Sequence, residues 1–366
     1  MNSKKSFGNI LHKLNIPLYL TYDDVLILPS FTNLERSDID LSTRLTKNIE
    51  LSLPIIGSPM DTVCEEKMAL GLIKEGGIGI IHRNQSVDAQ ILQVKKVIKE
   101  KMMVGAAVGI GSDFRDRVKK IIDAGVKLIC IDHSIGHSHA VFDAVKFLKK
   151  NYAVDVMAGN VATYDGAKYL FEAGADILRV GKGAGSICIS RKISGIGVPQ
   201  FSAITETARA AKKYKRSIVA DGGIRSSGDI VKAMAAGADA VMLGLFISGT
   251  DESPGNLKMI NGKAYKYYRG MGSSVAMKNG SADRYGQEKC TNKKNLIEEG
   301  MEGYIEYKGK LSDVIYNVVG GIKSGFVNVG AKNIKELQEK AKFIQITRAG
   351  EVESNFHDIL EKDSIN

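Results

Sequence analysis

Six prolines and four cysteines are few for 366 residues, and each scarcity excludes something. Thirty-nine glycines against those six prolines point to many tight loops rather than stiff, extended linkers. Cys64, Cys130, Cys188 and Cys290 form no CxxC pair, which argues against a zinc site or a disulfide framework and fits a reducing compartment. His133, His137 and His139 cluster in "IDHSIGHSHA", but no cysteine or carboxylate stands near them at metal spacing. No stretch approaches the roughly 18 apolar residues of a membrane span. The opening "MNSKKSFGNILHKLN" has no apolar core of signal-peptide length. A cytoplasmic location, with no membrane partner, is the expectation.

What is present is ordinary for a soluble globular chain: 44% apolar, 25% charged, and long enough for one large core or two domains. The formal charge of +10 could serve a nucleic acid. The basic residues are scattered, however, in stretches such as "VIKEKMM", "AAKKYKRS" and "CTNKKN". They read as solvated faces, so no nucleic-acid partner is expected. A net positive field would still favour a phosphorylated small substrate.

One pattern recurs along the chain. Short apolar, β-branched runs occur at 53–58, 78–82, 104–109, 128–133, 155–160, 177–181, 217–223 and 240–244. Each is nearly continuous rather than alternating, as in buried parallel strands. Helical stretches lie between them, and several end on glycine, as in "DFRDRVKKIIDAG", "TYDGAKYLFEAG" and "SGDIVKAMAAG", where a left-handed residue closes a helix. Eight such units predict an α/β fold, a (β/α)8 TIM barrel, with a doubly wound open sheet as the alternative. Barrel chemistry collects at the C-terminal ends of the strands. There stand Ser58 and Asp61, His82, Asp132, Asn160, the loop 181–191, Asp221 and Gly244. The spacing breaks after the eighth run. Residues 250–312 read as a long connection, which at a barrel mouth is a functional flap.

Three stretches carry chemistry. In "GKGAGSICISR", Gly181 to Arg191, glycines allow backbone groups to approach an ion or phosphate. Cys188 follows, with Lys182 and Arg191 as nearby positive charge that would favour a thiolate. The same residues also fit a small buried cysteine after a flexible turn. "ADGGIRSSGDIVKA", 220–233, with "VMLG" one unit later, places glycines after strands seven and eight, the usual barrel phosphate site; two tight turns and a helix cap are the plainer reading. Asp221 could accept from ribose hydroxyls. "RYGQEKCTNKKNLIEEG" sets Arg284 and Tyr285 on a flexible loop with Glu299 at its return, which by itself is also an ordinary charged surface loop.

Taken together, "LTYDDVLILPSF", "LPIIGSPMDTVCE", "EGGIGIIHRNQS", "MAGNVAT", "GSICISR", "ADGGIR", "ESPG", "YYRGMGS" and "GAKNIKELQEKAKFIQIT" resemble the IMP dehydrogenase family from about residue 19 to 357. GMP reductase shares the barrel, the cysteine loop and the phosphate site. The resemblance implies NAD-dependent oxidation of IMP to XMP, a step of guanine nucleotide synthesis. Cys188 would attack C2 of the purine. Hydride would leave for NAD, and a flap would close into the vacated space. Water activated by Arg284, with Tyr285 in support, would hydrolyse the intermediate. Ser190 stands where the family usually has threonine.

The resemblance also implies a site, residue by residue. Ser58 and Met60 would line the base pocket. Ser186, Gly222, Gly223, Gly244, Leu245 and Tyr268 would hold the phosphate, and Asp221 the ribose. Gly270, Met271 and Gly272 would present backbone groups to the purine, and Glu299 would face its N1/O6 edge. Asp132 would hold the nicotinamide ribose, with Asn160, Gly181, Lys182 and Gly183 nearby. Carbonyls of Gly183, Gly185 and Cys188 would bind potassium, completed by Glu353, Ser354 and Asn355 of a neighbouring subunit in a homotetramer.

The chain departs from the family at some points. "QILQVKKVIKEKMMVGAAVG" runs directly across the place where a pair of regulatory nucleotide-binding (CBS) domains is usually inserted. Residues 1–366 therefore read as one catalytic barrel domain without them, with a mobile flap at about 273–300. His133, Ile135, Lys182, Ala184 and Leu245 occupy positions that usually differ. Absent regulatory domains are a feature of the reductase, which deaminates GMP with NADPH. The Arg284–Tyr285 pair points back to the dehydrogenase. A catalytically silent nucleotide-binding paralogue is the alternative of another class.

Overall fold

The computed structural model describes residues 16–287 and 295–355. All eight apolar runs are strands: β1 Ile55–Gly57, β2 Ile78–Ile81, β3 Gly105–Val108, β4 Leu128–Asp132, β5 Asp155–Val161, β6 Ile177–Val180, β7 Ser217–Asp221 and β8 Ala240–Leu243. Each pairs in parallel with its neighbours, and β8 returns to β1 in the register Val241↔Ile55, Met242↔Ile56 and Leu243↔Gly57. The sheet closes into a barrel, which excludes the open doubly wound alternative. Helices α1 Glu66–Lys74, α2 Val87–Lys99, α3 Phe114–Asp123, α4 His139–Asn151, α5 Tyr164–Ala173, α6 Gln200–Tyr214 and α7 Ser227–Ala235 follow the first seven strands.

The helix-ending glycines act as their positions require. Gly76, Gly125, Gly174 and Gly237 have φ of +92°, +103°, +105° and +117°. The next residue turns back on the last helical turn each time, as in Ala175 N–H donating to Leu170 O at 3.1 Å and Ala238 N–H to Ala233 O at 3.1 Å. This satisfies carbonyls that the helix end would otherwise orphan. Residues 100–104 alone join α2 to β3, so the chain crosses that point without an inserted domain.

Alternate strand residues fill the barrel. Ile56, Ile78, Ile80, Leu128, Met157, Ile177, Val219 and Met242 pack there with Leu45, Ile49 and Leu51. The last three come from a hairpin, Thr43–Arg44 against Glu50–Leu51, which plugs the N-terminal end of the barrel. Thr46 Oγ1 donates to Asp155 Oδ2 at 2.8 Å from that hairpin. Ile49 is 1% exposed, so cutting it to alanine would cost about 3 kcal/mol. With one end plugged, only the C-terminal end is open to a ligand.

Residues 250–312 differ from the predicted long connection. Leu257–Ile260, Lys263–Arg269 and Glu302–Glu306 form a three-stranded antiparallel sheet. The buried Lys266 ammonium ties it to the preceding turn, donating to Thr250 O and Ser253 O, both at 2.7 Å. The third strand arrives some thirty residues after the second, and a pairing so distant in sequence leaves no local signal. The helix Leu311–Val329, α8, then packs against α7 and α1. Near the end of the described chain, the strand Phe343–Gln345 pairs with Val25–Ile27, followed by the helix Arg348–Glu353. No helix among the described residues is long and apolar enough to cross a membrane.

Candidate active site

Two adjoining cavities at the open end of the barrel share Ser58, Met60, Gly185, Ser186, Asp221 and Tyr268, and so form one cleft. At one end lies the glycine cradle. Gly222 and Gly223, after β7, have φ of +96° and +78°, and Gly222 approaches the backbone of the cysteine loop so closely that a Cβ would lie 3.1 Å from Gly185 N. Gly244 and Leu245, after β8, complete the wall. Tyr268 reaches in from the antiparallel sheet, its hydroxyl pushed up to about 12 by burial, so it is a neutral donor at physiological pH. Arg225 pairs with Asp23 across the rim of this cavity.

Among the described residues three cysteines are free, and Cys188 is the half-buried one. Burial pushes Cys64 and Cys130 up to about 12, which leaves them inert and structural. The Cys188 thiol donates to Ser190 Oγ at 3.2 Å, and Ser190 is 4% exposed at the start of the short helix Ser190–Ser194. The loop is braced from both sides. Arg191 donates to Lys182 O and Val198 O at 3.1 and 2.5 Å. Ile189 N–H donates to Glu299 O at 3.0 Å and Met301 N–H to Ile187 O at 2.9 Å. The returning end of the flap is thus hydrogen-bonded as a strand to the loop that presents the cysteine, a pairing that sequence gave no sign of.

The flap is packed on the barrel. Ser274–Ala276, Met277–Ser281 and Ala282–Tyr285 are successive short helical turns, and Arg284 is 9% exposed. Arg284 Nη1 and Arg179 Nη1 both donate to Asp132 Oδ1, while Arg83 Nη1 donates to Asp283 at 2.9 Å. Burial would raise the Asp132 pKa, but Arg284, Arg179 and Arg83 more than reverse it, to about 2. Burial likewise opposes charge on Arg284, yet Asp132 holds it protonated. Tyr285 is pushed up to about 12 by burial. Arg179, which sequence reading passed over inside the apolar run of β6, also donates to Asp221 Oδ2 at 2.8 Å, where Asn160 Nδ2 donates too at 2.8 Å. Its signal was a lone arginine in an otherwise apolar strand.

Most of the expected site residues meet in this cleft. Cys188, Ser190, Arg284, Tyr285, Glu299, Asn160, the loop 181–186 and Gly270 to Gly272 line one cavity; Gly223, Gly244 and Leu245 line the other. For four sets of these residues the structure shows what the chain itself already engages or where they lie. Asp132 is 1% exposed and closed off by Arg284 of the docked flap. One Asp221 oxygen is already occupied by Arg179 and Asn160, leaving Oδ1 for a ligand. The Met271 carbonyl accepts from Ser281 Oγ at 2.5 Å and the Gly272 carbonyl from Glu299 N–H at 3.0 Å, so the N–H groups are what this segment can offer. Glu353, Ser354 and Asn355 are exposed and line neither cavity. His82, which sits at a strand end, bonds Glu65 at 3.2 Å, and Asp61 pairs with Arg269 at 2.5 Å; both hold the scaffold.

Two further groups fit ligands. Asn160 Oδ1 is buried without a hydrogen-bond partner, an acceptor that suits a carboxamide N–H. Among the described residues no donor reaches the carbonyls of Gly183 and Cys188, so both can face a cation.

The sequence profile of the IMP dehydrogenase / GMP reductase domain matches residues 19–357. Three similar proteins are each named inosine-5′-monophosphate dehydrogenase. That of Cryptosporidium parvum is 40% identical over 96% of this chain and 98% of its own. That of Borreliella burgdorferi is 40% identical over 93% and 97%. That of Aquifex aeolicus is 40% identical over 93% and 95%, but across 470 aligned positions, more than this chain's length.

Proposed function

The chain belongs to the IMP dehydrogenase / GMP reductase family, and from that premise we propose that it oxidises IMP to XMP with NAD, in a single barrel domain without inserted regulatory domains. The observation that carries the reading is one cleft that joins a glycine phosphate cradle to a braced cysteine, with Arg284 and Tyr285 of the flap opposite.

The steps follow from the residues. The phosphate of IMP sits on the N–H groups of Gly222, Gly223, Gly244 and Leu245 with Ser186 and the Tyr268 hydroxyl. The free Asp221 oxygen accepts from the ribose. Ser58, Met60 and the N–H groups of Met271 and Gly272 orient the purine, whose N1/O6 edge faces Glu299. The Cys188 thiolate adds to C2, and hydride leaves C2. NAD, when bound beside Asn160 and Gly181 to Gly183, supplies the hydride acceptor. The product on the enzyme is a thioimidate to Cys188. Water then adds across C2 and N3, the C2–S bond breaks, and XMP leaves with the thiolate restored and one proton released.

Asp132 serves two occupants in turn: a ribose hydroxyl, then the Arg284 guanidinium. The docked flap takes the second place, so hydride transfer and hydrolysis use different flap positions. A guanidinium held protonated by Asp132 orients and polarises water rather than taking its proton. The proton goes instead through the Ser190 hydroxyl towards Glu299, the carboxylate that lines the same cavity. Potassium would be held by the carbonyls of Gly183, Gly185 and Cys188, with Glu353, Ser354 and Asn355 contributed by a neighbouring subunit of a homotetramer, and would steady the cysteine loop. The protein works in the cytoplasm.

The test is direct. Purified protein with IMP, NAD and potassium should generate NADH absorbance, and removal of potassium should lower the rate. Consumption of NADPH with GMP, releasing ammonia, would overturn this reading in favour of the reductase. IMP binding by calorimetry with no turnover of either kind would leave a silent nucleotide-binding protein.

A further inference from the structure

We propose that Lys182 is a latch that holds the flap in its docked position, and so sets how the protein divides its time between a docked flap and an open cofactor cleft. The inference rests on the reading above for its catalytic consequence, but the latch itself is a property of the chain without ligands.

The argument starts from what fixes Lys182. Its carbonyl accepts from Arg191 Nη2 at 3.1 Å and from Val198 N–H at 3.3 Å, so its backbone is anchored in the cysteine loop. Its ammonium crosses the cleft and donates to Ser134 O at 2.8 Å. Ser134 then turns two donors on the flap: its Oγ–H and its N–H both reach Arg284 O, at 2.7 and 3.1 Å. The connection runs from the loop that presents Cys188, through Lys182 and the loop after β4, to the main chain of Arg284.

The flap has two other anchors here, Arg284 on Asp132 and Asp283 on Arg83. Those two use side chains of the flap. The third uses its backbone and depends on Ser134 being held with both donors facing it. Lysine is suited to holding it. An apolar side chain of similar length would leave the Ser134 carbonyl without that partner. Burial lowers the proton affinity of Lys182, while Glu299 and Cys188 raise it and Arg284 lowers it further. When Arg284 leaves Asp132, the latch loses its far end, and Lys182 lines the cavity beside Gly181 and Asn160.

Lys182→Met, Lys182→Arg, Ser134→Ala and the double variant test the proposal. The first measurement is amide hydrogen exchange of residues 273–287 without nucleotide. Loss of one charge-assisted hydrogen bond should speed exchange there about tenfold in Lys182→Met, with Lys182→Arg recovering most of the protection. In the Ser134→Ala background, Lys182→Met should add much less, because the two act in series. The second measurement compares pre-steady-state NADH formation with steady-state turnover. Lys182→Met should slow hydrolysis more than hydride transfer, and inhibition by excess NAD should set in at lower concentration. Unchanged flap exchange in Lys182→Met would overturn the proposal, as would additive effects with Ser134→Ala. Equal loss of protection in the loop 181–191 and the flap, without recovery by arginine, would mean that Lys182 merely props its own loop. Failure of the wild-type protein to form NADH from IMP would remove the proposed function and leave the exchange test of the latch intact.

Discussion

Replacing Asp132 by asparagine removes one charge and almost no volume, and its consequence can be worked from the structure. The carboxylate is 1% exposed and faces Arg179, Arg284 and, at 3.7 Å, Arg83. Its pKa is about 2, against an ordinary 3.8, a difference worth about 2 kcal/mol of folding free energy. Breaking a buried pair from one side costs about 3 kcal/mol or more when the partner has nowhere to go. Here Arg179 keeps Asp221, and Arg284 can leave with the flap, so about 2 kcal/mol is the expected loss. For a chain of this length that is a fall of roughly 3 °C in melting temperature.

The pH dependence has a definite sign. A depressed carboxylate stabilises the fold above its unfolded pKa and stops doing so as pH falls through its folded value. The gap between wild type and Asp132→Asn should therefore be full above about pH 4 and close between about pH 4 and 2. Calorimetric melts over pH 2 to 7, with hydrogen exchange of residues 273–287, test both parts. Equal melting temperatures at pH 7 together with an unchanged flap would refute the claim that this carboxylate anchors Arg284.

Cys188→Ala should abolish NADH formation while IMP binding by calorimetry persists; substantial turnover would remove the covalent step. Ser190→Ala should slow hydrolysis about a hundredfold and leave single-turnover hydride transfer closer to normal, with Ser190→Thr retaining activity; an equal loss in both steps would deny Ser190 its part in proton transfer. Gly181→Ala forces a side chain into φ +153° with its Cβ 2.3 Å from Asp221 O. It should cost about 2–3 kcal/mol in denaturant melts and weaken binding at both ends of the cleft; a stable, fully active variant would show that the loop has slack not seen in this packing.

The barrel was legible because each of its signals is local. A buried parallel strand is a short apolar run and a glycine often closes a helix, so eight such runs, with glycines ending four of the helices between them, specify a closed sheet with little help from distant residues. The glycine cradle and the cysteine loop followed, since barrel sites lie at known strand ends. The third strand of the sheet at 257–306 did not show, because Lys263–Arg269 finds that partner only after the flap has gone out and returned; the first hairpin, turned at Asn261-Gly262, carries a local signal that reading 250–312 as one connection missed.

The amino-acid sequence by itself determined the fold, the end of the barrel that carries the site, and the residue types available there. Tertiary structure alone decided how those residues are shared. Asp132 reads as a lone carboxylate at a strand end until Arg284, more than a hundred residues later, is seen to pair with it. Arg179 reads as an oddity within a strand until Asp132 and Asp221 close around it, and Lys182 reads as a stray charge until Ser134 carries its hydrogen bond to the flap. Charge pairing acts through a few ångströms of space, not along the chain, so no spacing in the sequence could announce it.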